Sequence, residues 1–82
     1  MERRNKPLIA AFAMTLRDQR ASVGMTQETL AERADLSVRA VSFFETGKRQ
    51  PTLSALAAIS KGLGVDMVEL MREIDHLYRK DE

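Results

Sequence analysis

Only Asp35, Leu36 and Ser37 separate one apolar helical stripe, Leu30-Ala31-Ala34, from a second segment that starts at Val38 and carries Val41 and Phe44. A joint this short constrains the chain more than any other feature of its sequence. Two helices linked by about three residues must turn sharply and approach each other near the bend, where a small side chain such as Ala31 fits; that is helix-turn-helix geometry. The second helix raises a question of its own, because Phe43 and Phe44 stand side by side. Residues one apart do not share a helical face. If Phe44 points inward with Val41, Phe43 must face something else.

The flanking sequence is helical in pattern too. Met1–Lys6 is polar and basic and reads as a loose arm. Pro7 suits a first helical turn, where its missing N–H is not needed. Ile9, Phe12, Ala13, Leu16 and Val23 then fall on one helical face, and Gly24 is a stop signal. Thr26 and Ser37 are candidate N-caps for the second and third helices, the third running from Val38 to Glu45 and ending at Gly47. After the polar loop Lys48-Arg49-Gln50-Pro51, Thr52 caps a fourth helix with Leu53, Leu56, Ile59 and Leu63 at helical spacing, closed by Gly62 and Gly64. Asp66 with Glu69 three residues on resembles a capping box for a fifth helix, whose apolar positions are Met67, Leu70, Met71, Ile74 and Leu77. No segment alternates with the two-residue period of a strand, so the expected fold is all-α with five helices. The expected organisation is a flexible basic arm over 1–6, a helix-turn-helix domain over 7–65, and a C-terminal helix over 66–82 as a candidate dimerisation element.

Eighty-two residues bury a limited core, and chains this small often lean on self-association. With no cysteine, neither disulfides nor thiolate metal sites can supply support, and a reducing cytoplasmic setting fits. The net charge of +1 hides a gradient: residues 1–50 hold nine Lys/Arg against six Asp/Glu, while residues 51–82 hold four against six. A basic front and an acidic back would let a dimer turn one face to a polyanion. No apolar run is long enough to span a bilayer. The opening MERRNKPLIAAFAM imitates a signal peptide, but its apolar stretch continues at helical spacing into Leu16, Arg20 and Val23. His76 is alone, Met67 and Met71 read as core or interface filler, and no Ser/His/Asp set, glycine-rich phosphate loop or paired-carboxylate cleft appears. No metal, cofactor or enzymatic activity is expected.

The stretch MTQETLAERADLSVRAVSFFETGKRQPTLSALAAISKGLGV resembles the helix-turn-helix domain of the Cro/C1-type repressors, the XRE family. The resemblance runs from about Phe12 to Val65. It rests on Thr26-Gln27, Leu30-Ala31, Ala34, Leu36-Ser37, Val41-Ser42, Glu45-x-Gly47-Lys48, Pro51-Thr52 and Leu63-Gly64-Val65 together. It implies a lambda-repressor-like domain that binds double-stranded DNA with its third helix in the major groove. By the same resemblance, Gln27, Ser37 and Lys48 meet the DNA backbone. Val38, Arg39, Ser42 and Phe43 read base edges, and Arg20 and Glu45 form an ion pair between helices one and three.

Physical chemistry makes these roles reasonable. Helix N-termini offer free N–H groups to phosphate. Lys48 and Arg49 add full charges whose binding releases counterions. Arg39 can donate two hydrogen bonds to guanine O6 and N7, and an aromatic at 43 can pack on a thymine methyl. Two readings of Phe43 stay open: it projects into the groove, or it lies on the domain surface beside helix four. Arg3, Arg4 and Lys6 either reach a minor groove or fray. One small domain suggests a homodimer on a near-palindromic operator, with half-sites roughly 34 Å apart. Its interface would be Leu70, Ile74, Leu77 and Tyr78, unless that stripe only covers the monomer's own core beside Phe12 and Leu16. The expected function is a transcriptional regulator, a repressor of the phage, prophage or restriction–modification controller type; as an activator it would touch RNA polymerase. The alternatives are an antitoxin that also holds a toxin protein, and a helical protein-interaction module without DNA binding.

Overall fold

The computed structural model describes residues 4–80 and contains, among them, five helices: α1 Lys6–Ser22, α2 Gln27–Ala34, α3 Val38–Glu45, α4 Leu53–Leu63 and α5 Met67–Lys80. Local chemistry sets the boundaries. Thr26, Ser37 and Thr52 have extended backbones, and each hydroxyl accepts the N–H three residues on, at 3.0 Å in every case. Each cap satisfies one of the N–H groups that a helix start leaves without an intrahelical partner. Asn5 caps α1 in the same manner, accepting from Leu8 N at 3.1 Å, with Pro7 in the first turn. Asp35 takes the left-handed conformation (φ 55°) that turns α2 into α3, and Gly64 (φ 77°) ends α4.

α1 packs chiefly against α5 and also against α3, while α2 packs against α4 and α3. The core lies where these meet. Leu16, Leu30, Val41, Ile59, Leu70 and Ile74 are fully buried, and each such side chain contributes about 1.5–3 kcal/mol through burial. Phe12 meets Phe44 edge to face with ring centres 5.9 Å apart. That arrangement suits the ring quadrupoles and fixes α3 against α1.

Several expectations change. Val23 and Leu53 share the apolar spacing of their helices but are 63% and 80% exposed, because both sit at helix ends beyond the reach of the core. Gly62 does not close α4. It lies inside the helix, where an added Cβ would come within 2.9 Å of Leu30 Cδ1 and 3.3 Å of the Ala34 backbone. It is the residue that lets α4 approach α2. The expected arm is shorter than six residues: Lys6 is already helical, and Arg4 Nη2 donates to the Gly47 carbonyl at 3.0 Å. Arg3, the remaining basic residue of that arm, lies outside the described residues.

The largest correction concerns α5. Leu70 and Ile74, expected at a dimer interface, are 1% and 2% exposed and belong to the monomer's own core beside Phe12 and Leu16. Leu77 and Tyr78 are half-buried against the same core, and the Tyr78 hydroxyl accepts from Asn5 Nδ2 at 3.0 Å. An amphipathic stripe looks the same in sequence whether its own chain or a second copy covers it. Here α1 covers it.

Candidate functional site

α3 is one helix with two differently held faces. On the inner face Val41 and Phe44 are sealed in the core. Glu45, at the last helical position, is only 3% exposed although it is charged. Its carboxylate is fully engaged. Oε2 accepts from Arg20 Nε at 2.7 Å, and Oε1 accepts from Arg20 Nη2 and from Gln27 Nε2, each at 3.0 Å. Arg20 also donates through Nη1 to the Met25 carbonyl at 2.7 Å. The carboxylate thus ties α3 to α1 and α2, and Arg20 extends the network to the turn between α1 and α2. The hydrogen bonds that Arg20 donates to Glu45 hold its guanidinium above its ordinary pKa, against the opposing effect of desolvation.

The end of α3 is held by two more arginines. Arg17 donates to the Glu45 carbonyl and Arg4 to the Gly47 carbonyl. Cations placed at a helix C-terminus complement the partial negative charge of its free carbonyls. Sequence reasoning paired Arg20 with Glu45 but missed Arg17 and assigned Arg4 to an arm. The available signal was the Arg17/Arg20 spacing, which puts both on the same side of α1.

The outer face is open. Val38 is 40% exposed, Arg39 is exposed, and Ser42 and Phe43 are half-buried. Neither of the two open readings of Phe43 describes its surroundings in full. The Arg39 guanidinium carbon lies over its ring at 5.3 Å from the centroid, and that of Arg49 at 5.1 Å. The loop after α3 curls back far enough for the Lys48 N–H to donate to the Phe43 carbonyl at 3.0 Å, which brings Arg49 onto the helix. Lys48 and Arg49 are both exposed.

Gln27 is the first residue of α2, and Ser37 caps α3 at the end of the turn between the two helices. Gln27 uses one amide hydrogen on Glu45 and keeps a second. Ser37 accepts from Ala40 N, so its hydroxyl proton remains available to donate. The structure therefore gathers Gln27, Ser37, Val38, Arg39, Ser42, Phe43, Lys48 and Arg49 around α3 and its two flanking turns, and it separates them from Leu70 and Ile74. The only acid on α3, Glu45, is buried and neutralised by Arg20, so the outer face carries cations and hydrogen-bond donors with no carboxylate of its own. Such a surface can hold a polyanion and donate into a groove.

A helix-turn-helix family model matches residues 16–70. An uncharacterized HTH-type transcriptional regulator, y4dJ of Sinorhizobium fredii (strain NBRC 101917 / NGR234), is 38% identical over 56 residues, covering 68% of this chain and 73% of that protein. Among solved structures, the wild-type restriction-modification controller protein C.Esp1396I is similar with a TM-score of 0.83 at 30% identity, over 89% of this chain and 95% of that one. The C.Esp1396I tetramer in complex with its natural 35 base-pair operator is similar at TM-score 0.82 and 29% identity, over 88% and 95% of the two chains.

Proposed function

The chain belongs to the helix-turn-helix family of Cro/C1 (XRE) type, and from that premise we propose that it is a DNA-binding transcriptional regulator that recognises a specific operator through the outer face of α3. The observation that carries this reading is the outer face of α3, which presents Arg39, with Arg49 brought onto it from the loop, and no carboxylate of its own, on a helix whose inner face is locked to α1 and α2. In this reading α3 enters the major groove. Arg39 donates to a guanine edge while Val38 and Ser42 sit against neighbouring bases. Gln27 and Ser37 meet one phosphate strand, where the first N–H groups of α2 and α3 add their donors. Lys48 and Arg49 meet the backbone beyond the far end of α3.

The regulator acts as a dimer on a near-palindromic operator, since one domain of this size makes few contacts alone. With Leu70 and Ile74 buried, the surface that supports pairing is different from the expected one. Leu53 on α4 and Met67, Val68 and Met71 on α5 account for four of the seven large apolar side chains left exposed among the described residues. Assembly of the similar C.Esp1396I protein as a tetramer on its operator favours such self-association. Repression, at a promoter overlapping the operator, follows most simply from occupancy that rises with protein concentration. No helix among the described residues is long and apolar enough to cross a membrane, and a regulator of this kind works in the cytoplasm, where its DNA is.

Selection of bound duplexes from a random pool at low salt tests the reading. The expected product is an inverted repeat with a guanine in each half-site. Affinity for it should fall by orders of magnitude between about 50 and 200 mM salt if several phosphates are engaged. No enrichment over the starting pool would overturn the proposal.

A further inference from the structure

Arg39 and Arg49 are exposed, and neither forms one of the ion pairs found among the described residues. What they share is the Phe43 ring, at 5.3 and 5.1 Å. Arg39 and Phe43 are four residues apart and therefore neighbours along one side of α3. Arg49 arrives from the loop, which the Lys48–Phe43 backbone bond folds back. A guanidinium over an aromatic face is attracted to the negative face of the ring's quadrupole. Two such groups near one ring repel each other, and the repulsion is relieved when an anion joins them. A phenyl group that served only to touch a thymine methyl would have no need of flanking cations.

We propose that Phe43 is a positioning residue rather than a base reader: its ring holds Arg39 and Arg49 together as a two-arginine clamp on the duplex, one guanidinium for a base edge and the other for an adjacent phosphate. This rests on the DNA-binding reading above. The clamp limits the rotamers of two long side chains before DNA arrives, so less freedom is lost on binding. Sequence discrimination by Arg39 then depends on a residue that touches no base.

The test uses the full chain and the operator obtained by selection. Affinities are measured for the parent, Phe43→Leu, Phe43→Tyr and Arg39→Ala/Arg49→Ala, and for Phe43→Leu combined with the arginine pair. Duplexes with thymine or deoxyuridine at each operator position report on methyl contacts. Phe43→Leu should weaken binding on the order of tenfold, and Phe43→Tyr, which keeps the ring, should restore it. In the Arg39→Ala/Arg49→Ala background Phe43→Leu should add no further loss, and deoxyuridine should affect the parent and Phe43→Leu equally. An undiminished loss in that background, or a thymine-methyl effect that vanishes with Phe43→Leu, overturns the clamp. In the free protein, NMR should find ring-current shifts on the side-chain protons of both arginines that disappear in Phe43→Leu. Absent shifts with DNA binding intact sink the clamp alone. Clear shifts with no affinity for any duplex sink the DNA reading and the clamp with it.

Discussion

The inner and outer faces of α3 are eight residues of the same helix, yet different forces hold them. Val41, Phe44 and Glu45 are fixed by close packing and by directional bonds from Arg20 and Gln27. Val38, Arg39, Ser42 and Phe43 are partly or fully open to solvent, and the two arginine contacts with Phe43 are the stabilising contacts that their side chains make across that face. The contrast separates two tasks. The inner face sets the pitch and direction at which α3 leaves the domain, and its energy belongs to folding. The outer face is held weakly, so its hydrogen-bonding capacity is kept for a partner. Substitutions should sort accordingly: inner ones change stability first, outer ones change recognition at nearly constant stability.

The largest effect is expected from Phe44→Ala. Removing a buried ring that packs edge to face on Phe12 should cost about 3–5 kcal/mol, read by urea denaturation. Binding would then fall only as far as the folded fraction falls. A variant as stable as the parent would mean that the inner face is not a core and would end the contrast. Glu45→Ala comes next. It leaves Arg20 with a half-buried charge and Gln27 without its acceptor, and Arg20's side chain is 21% exposed. A loss of about 2–4 kcal/mol is expected, less than for a fully buried pair. Glu45→Gln, which keeps acceptor and shape but not charge, should fall between the parent and Glu45→Ala in the same denaturation series.

Which parts of this were legible in the sequence follows from the range of the forces. The helix starts at Thr26, Ser37 and Thr52 are set by hydroxyls acting three residues away, so the extent of α3 could be read directly as Val38–Glu45. The inward Val41/Phe44 pair follows from helical spacing alone. Gly62 was misread as a helix end because its reason is Leu30 and Ala34 on another helix, which no local rule contains. Leu70 and Ile74 were misread for a related cause: their spacing says that something covers them, and only the tertiary structure says that α1 does. At the site, the i, i+4 relation of Arg39 and Phe43 was present in the sequence. The return of Arg49 from the loop was not, because it depends on the backbone path after Gly47.

On the outer face, Arg39→Ala should lower stability by no more than about 0.5–1 kcal/mol, since the side chain is exposed and loses only its contact with the Phe43 ring. It should lower discrimination at one operator position by about 1–3 kcal/mol, the value of a good bidentate contact with guanine. Competition between the operator and a variant with that base pair changed measures it. Retained preference at every position would remove Arg39 from base reading and shift the task to Val38 and Ser42.

The smallest effect, and the one that divides the outer surface itself, is Lys48→Ala. Lys48 is exposed and its side chain lies beyond the end of α3, so neither folding nor base choice should depend on it. If it neutralises one phosphate, each bound copy should release about one counterion fewer, and the slope of log K against log salt should become shallower by about 0.9 per half-site. The loss should be the same for the operator and for a scrambled duplex of equal length, leaving their affinity ratio intact at every salt concentration. A changed ratio would mean that the loop helps to choose the sequence. Because Lys48 N donates to the Phe43 carbonyl and the next residue, Arg49, lies over the Phe43 ring, such a change would point to a disturbed Arg39–Phe43–Arg49 stack, and the loop and the outer face of α3 would have to be treated as one recognition surface.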